Sequence, residues 1–210
     1  MPPMGSDRGM PSGSWLVVGL GNPGPTYQRH RHNIGYLVVE ELARRAGGRF
    51  AAPRGMRAEV LQTRIGPLGT GAVGADAEPM VLMKSRTYMN ETGGPVAQLA
   101  AYHKVAPERV IAIHDELDLE PGVLRLKLGG GDNGHNGLKS IRKSLGTGDF
   151  HRVRFGIGRP PGRQAPADFV LSDFPAAQRA DLAVDIDRAA DAVESLINDG
   201  LAAAQNRYNG

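Results

Sequence analysis

With 210 residues, 40% of them hydrophobic and 22% charged, the chain is long enough for one well-buried core and has the composition of an ordinary globular domain. No apolar run approaches the ~20 residues of a membrane helix, so a membrane partner is not expected, and the absence of cysteine excludes disulfides, a cysteine nucleophile and a cysteine-ligated zinc site. The net charge is only +3, yet nine basic residues fall within residues 125–163 against two acids, Asp132 and Asp149, a concentration that suits a polyanion such as RNA phosphates.

Residues 1–14, rich in Pro, Gly, Ser and Met, are expected to form a flexible leader ahead of one domain over residues 15–210. Nothing points to export, and the cytoplasm is the expected compartment. Trp15-Leu16-Val17-Val18 reads as a buried strand that runs into the loop Gly19-Leu20-Gly21-Asn22-Pro23-Gly24. Residues 34–46 carry Ile34, Leu37, Val38 and Leu42 at helical spacing and stop at Gly47-Gly48. Residues 57–73, broken at Gly66-Pro67, predict a weak pair of edge strands.

A short strand over residues 80–83 leads into Lys84-Ser85-Arg86-Thr87-Tyr88-Met89-Asn90, with a helix expected over residues 95–103. Residues 110–113 form another apolar strand, ended by His114-Asp115-Glu116. Residues 123–128 alternate apolar and basic side chains, as a half-exposed strand does, before Gly129-Gly130-Gly131. A helix beginning near Gly137 presents Leu138, Ile141 and Leu145 on one face. Val153, Phe155 and Ile157 then alternate with Arg152 and Arg154, which predicts a basic strand face opposite a buried one. Residues 175–198 predict a long amphipathic helix with proline at its start and Gly200 after its end. Interleaved strands and helices place the chain in the α/β class, with a mostly parallel or mixed sheet.

The first glycine loop matches G-x-G-x-x-G after a strand, and Glu40 or Glu41 lies where a ribose-binding acid would stand. A nucleotide-cofactor enzyme of Rossmann type is therefore one reading. It needs a helix to open directly at the third glycine, because the pyrophosphate rests on that helix end, whereas the helical pattern here starts only near Ile34.

In open α/β sheets the loops beyond the carboxyl ends of the strands build the active site. The polar residues expected in such loops are Asn22, His32, Asn90, Asp115 and Asn136. Singly, each also suits a turn, a helix cap, a surface acid or a partly buried polar group. Together they supply the parts of ester hydrolysis. Histidine is the side chain whose ordinary pKa lies nearest neutrality, and it can deprotonate water as that water attacks. A carboxylate such as Asp115 on its other nitrogen would fix the tautomer, and asparagine amides or glycine-loop N–H groups would hold the oxyanion.

The glycine loop, Thr26-Tyr27 with Arg31-His32-Asn33, Tyr88-Met89-Asn90, His114-Asp115-Glu116-Leu117-Asp118, and Lys127-Leu128-Gly129-Gly130-Gly131 leading to Gly134-His135-Asn136-Gly137 resemble, in order, the bacterial-type peptidyl-tRNA hydrolase family. The likeness implies a single α/β domain with a twisted mixed, largely parallel sheet flanked by helices, monomeric and needing no metal or other cofactor. It implies peptidyl-tRNA as the partner, His32 as catalytic base and Asp115 as its partner residue. Asn22 and Asn90 would lie on the peptide side, and Asn136 would position water or substrate. Tyr27, Tyr88, Lys127 and Arg154 would serve substrate and tRNA binding, the last two at the terminal phosphate. One departure is Asp132-Asn133, where the family more often carries a small, glycine-rich pair.

Two further classes remain beside it. A metal-dependent hydrolase could draw on His30, His32, His114, Asp115 and His135, although no His-x-x-x-His spacing marks such a site. A non-catalytic RNA-binding module would use the basic segment, but aromatic residues for base stacking amount to only 5% of the chain.

Overall fold

The computed structural model describes residues 13–210, so all but the last two residues of the expected leader lie outside the described residues. The fold is built on a seven-stranded mixed sheet of order β3-β2-β4-β1-β5-β7-β6. Its parallel centre consists of β4 (Glu78–Ser85), β1 (Trp15–Gly19), β5 (Val110–Glu116) and β7 (His151–Gly156). Antiparallel strands close both edges: β2 (Ala58–Gly66) with β3 (Gly69–Thr70) on one side, β6 (Leu124–Leu128) on the other. The helix-flanked mixed sheet expected is thus present, with three parallel and three antiparallel pairings, so it is less parallel than expected.

Both sheet faces are covered, which is why the central strands read as unbroken apolar runs. On one face Val17, Leu82, Ile111, Ile113 and Phe155 pack under α1 (Ile34–Arg45) and α5 (Arg179–Asp199). On the other, Leu16, Val18, Val81, Met83 and Ala112 pack under α2 (Gly93–Tyr102) and α3 (Asn136–Leu145). Successive side chains of one strand serve opposite cores, as the two-residue strand period requires.

The expected elements are found with shifted ends. The helix predicted over residues 175–198 is a short 3-10 turn, Ala176–Gln178, followed by α5. Two short helices are additions to the expected set, α4 (Pro166–Val170) and α6 (Leu201–Tyr208); each is about two turns or less, too brief for a periodic apolar signal. The basic strand face is corrected at one residue. Arg152 is 0% exposed, and its guanidinium donates to the carbonyls of Gly131 and Gly130 and, at 3.4 Å, Gly148. Buried among loop carbonyls, it serves the fold and not a surface footprint. The wider basic segment is also less free than its composition implies, since Arg142 faces Asp132, Arg154 faces Glu116 and Arg159 faces Asp118.

Candidate active site

Packing requires glycine at Gly21 of the first loop and at Gly35 in α1, whereas Gly24 is set by its positive φ of 102°. A Cβ on Gly21 would strike the Tyr36 ring at 2.7 Å, and one on Gly35 would lie 2.3 Å from the Ile113 carbonyl. The N-terminus of α1 therefore sits directly on the end of β5. That close approach carries His32, three residues ahead of Gly35, to Asp115, two residues beyond Ile113. Asn33 locks the turn: its side chain accepts from the Asn22 N–H and donates to the Asn22 carbonyl, both at 2.9 Å. Between Gly24 and α1 the chain makes two 3-10 turns, Pro25–Tyr27 and Arg31–Asn33, so no α-helix opens at the third glycine and the dinucleotide cradle is not formed.

His32 and Asp115, 83 positions apart, meet: Nδ1 of His32 lies 2.9 Å from both carboxylate oxygens. Asp115 also meets His135, whose Nε2 is 2.9 Å from Oδ1. The tautomers follow from these contacts. His135 Nδ1 accepts from the Gly137 N–H at 3.1 Å, so its proton sits on Nε2 and is donated to Asp115. A carboxylate can only accept, so neutral His32 carries its proton on Nδ1 and keeps the lone pair of Nε2 available. Burial pushes the Asp115 carboxyl up, but the imidazoles of His32 and His135 outweigh it and hold the group well below the usual carboxylate range. Behind them, burial and the neighbouring His135 push the His114 imidazole down to about 3, while its Nδ1 donates to the Asp115 carbonyl at 2.8 Å.

A cavity of about 580 Å³ opens over this cluster and is lined by Asn22, His32, Asn90, Asp115, His135 and Asn136. All five candidates named from sequence are therefore brought together. Asn22 Oδ1 accepts from the Met89 N–H at 2.8 Å, which leaves its Nδ2 as the end able to donate to a ligand. Asn90 lies in the 3-10 turn Met89–Glu91, and Asn136 opens α3. Gly137 packs closely beside it: a Cβ there would lie 2.7 Å from the Met89 sulfur and would have to displace that side chain. Pro166, Ala167, Val170 and Leu171 form an apolar wall of the same cavity.

Lys127 and Arg154 lie outside the cavity lining, on the antiparallel pair β6 and β7. Partial burial and the nearby Arg154 and Arg152 lower the Lys127 pKa. Arg154 donates to Glu116 Oε2 at 3.1 Å, and Glu116 itself borders the cavity. Tyr27 and Tyr88 meet edge to face with ring centroids 6.2 Å apart, and Tyr88 is 56% exposed. Asn133, half of the Asp132-Asn133 departure, adopts a left-handed φ of 47°. Its side chain donates to Glu116 and Asp118, each at 2.8 Å, so Asn133 ties the loop to the acids of β5 and its continuation.

In the sequence His135 has a role only as a metal ligand, beyond its place in a motif, and Asn33 stands only as part of a motif. The signal for His135 is its place between two glycines ahead of a helix, where it caps α3. The ligand atoms of His32, Asp115 and His135 lie within 4.8 Å of one another, so among the described residues this trio is the group that could hold a metal ion. An ion there would have to displace the protons on His32 Nδ1 and His135 Nε2, which already satisfy the carboxylate.

The peptidyl-tRNA hydrolase family model matches residues 16–210. A protein of Cutibacterium acnes named peptidyl-tRNA hydrolase is 59% identical over 198 residues, covering 94% of this chain and 99% of that one. One of Streptomyces coelicolor with the same name is 54% identical, covering 97% and 98%. The crystal structure of peptidyl-tRNA hydrolase from Acinetobacter baumannii superposes with a TM-score of 0.81 at 34% identity, covering 93% of this chain and 94% of that one. With nearly all of its described fold and all five motifs inside the matched region, the chain belongs to the peptidyl-tRNA hydrolase family.

Proposed function

We propose that the protein hydrolyses the ester joining a peptide to the ribose of tRNA, with His32 as general base and no metal. The observation that carries this reading is the pair of 2.9 Å contacts from His32 Nδ1 to buried Asp115, which leave Nε2 as the basic atom. Nε2 takes a proton from water as its oxygen attacks the ester carbonyl. The oxyanion accepts from the Asn22 amide, whose donor end is set by the Met89 N–H, with Asn90 or Asn136 as further donors, each such donor worth about 3 kcal/mol. Collapse breaks the bond to the ribose oxygen, which takes the proton from the imidazolium. The products are free tRNA and the peptide's carboxylic acid, which gives its proton to solvent and leaves as the carboxylate.

Asp115 stabilises the imidazolium and stays ionised throughout, since two imidazole N–H groups face it. Lys127 and Arg154 hold the terminal phosphate, and Tyr27 and Tyr88 flank the tRNA end. A monomer working in the cytoplasm completes the reading; among the described residues no helix is long and apolar enough to cross a membrane.

The test is His32→Ala assayed on peptidyl-tRNA. Turnover should fall by roughly 10⁴ or more with tRNA affinity nearly unchanged; wild-type turnover in the variant removes the base. A second reading, in which the same trio holds a divalent ion, is separated by prior chelation. Activity that survives chelation supports the hydrogen-bonded base, and activity restored only by added metal supports the ion.

A further inference from the structure

Arg31 immediately precedes His32 but borders a neighbouring cavity, not the one His32 lines. Its guanidinium lies 4.2 Å from the Phe169 ring centroid and 5.5 Å from that of Phe174. One terminal nitrogen, Nη1, donates to the Ser172 carbonyl at 3.2 Å, the Ser172 hydroxyl at 2.6 Å and the Asp173 carbonyl at 2.8 Å. Main-chain bonds run alongside, from the Arg31 N–H to the Ser172 carbonyl at 3.0 Å and from the Phe174 N–H to the Arg29 carbonyl at 3.2 Å. The turn that holds the base is thereby riveted to residues 169–174.

That segment begins in the last turn of α4, a helix of 5 residues of which only Phe169 is buried. So short a helix has no stability of its own, and its main packing partner among the described elements is the Arg31–Asn33 turn. Yet α4 and the residue after it supply Pro166, Ala167, Val170 and Leu171 to the cavity containing His32. None of these four is charged or polar, and Leu171 is 43% exposed. A wall of this kind suits an apolar side chain and not a phosphate or a ribose.

We propose that Arg31 is a positioning residue for peptide selection: it holds the α4 wall at a set distance from His32, so that an apolar side chain next to the scissile ester is gripped between them. This rests on the reading of His32 as the base. Arginine suits the position because its planar group stacks on an aromatic ring while its edge donates several hydrogen bonds, which lysine cannot do together.

The experiment compares the wild-type chain with Arg31→Met and Arg31→Lys on N-acetyl-leucyl-tRNA and N-acetyl-glycyl-tRNA. In both variants KM for the leucyl substrate should rise about tenfold, the scale of one apolar group in a pocket, while KM for the glycyl substrate and kcat for both hold. Amides of residues 166–174 should exchange with solvent faster, with those of β5 unchanged. Arg31→Lys keeps the charge and supplies the test if the methionine variant does not fold. A leucyl-to-glycyl KM ratio equal to that of the wild type overturns the proposal, whatever the exchange shows. His32→Ala on the same pair keeps the two readings apart, because turnover there removes the base without touching the KM ratio of the Arg31 variants.

Discussion

Around Asp115 the side chains are buried and committed, with His32 12% exposed, Asp115 2% and His135 8%. On the basic side the pairs are more open: Arg154 is 22% exposed, Arg142 54% and Arg159 66%, and each faces an acid. The contrast fits the two tasks proposed for these regions. A base must keep one tautomer in one orientation, which needs a dry carboxylate with all its donors in place. A phosphate grip must release one partner to take another; the exposed pairs of Arg142 and Arg159 are worth only about 0–1 kcal/mol, whereas Arg154 faces a Glu116 that is only 4% exposed.

The harshest way to break the buried half is Asp115→Asn. An amide there no longer enforces the Nδ1–H tautomer of His32, and turnover should fall by roughly 10⁴ on the precedent of other triads; a loss under about tenfold, measured in single-turnover assays, would show the carboxylate to be dispensable. The same variant bears on acid stability. The folded-state pKa of Asp115 is depressed, so its contribution is complete above the unfolded value near ~4 and is lost as pH falls. Thermal melts of the variant should accordingly flatten below that pH relative to wild type.

Next in size is His135→Gln, which removes the second imidazole from Asp115 and alters the cap of α3. A loss of turnover of about 10–100-fold is expected, the scale of groups that orient an essential residue, with the salt dependence of tRNA binding unchanged. The smallest effect on chemistry belongs to the open half. Lys127→Ala with Arg154→Ala should leave kcat nearly intact, weaken binding, and reduce the salt slope by about one for each phosphate no longer neutralised. An unchanged slope in a filter-binding titration would move the phosphate site elsewhere and erase the contrast.

Several features can be read from the chain alone because they are local. The strand of Trp15-Leu16-Val17-Val18, the α1 period from Ile34 to Leu42, and the gap between Gly24 and that helix are each visible in spacing, and the gap already argues against a dinucleotide site. The loop candidates Asn22, His32, Asn90, Asp115 and Asn136 are legible as polar residues at element ends. Arg152 defeats the same reasoning, because alternation says which face a side chain leaves by but not whether glycine carbonyls wait there to bury it. α4 leaves no such trace, since its reason to exist is the Arg31 turn some 140 positions away.

The sequence by itself determined the α/β pattern, the two-faced apolar strands and the list of residues able to do acid–base chemistry, since periodicity and side-chain chemistry are properties of neighbours in the chain. Only the tertiary structure decided that Asp115 meets two histidines, that His135 presents Nε2–H to it, and that Arg31 joins the His32 turn to the segment carrying an apolar wall. Those facts depend on the approach of Gly35 to the Ile113 carbonyl and of Gly137 to Met89. Such approaches are set by the packing of helices on the sheet, over distances that no local pattern encodes.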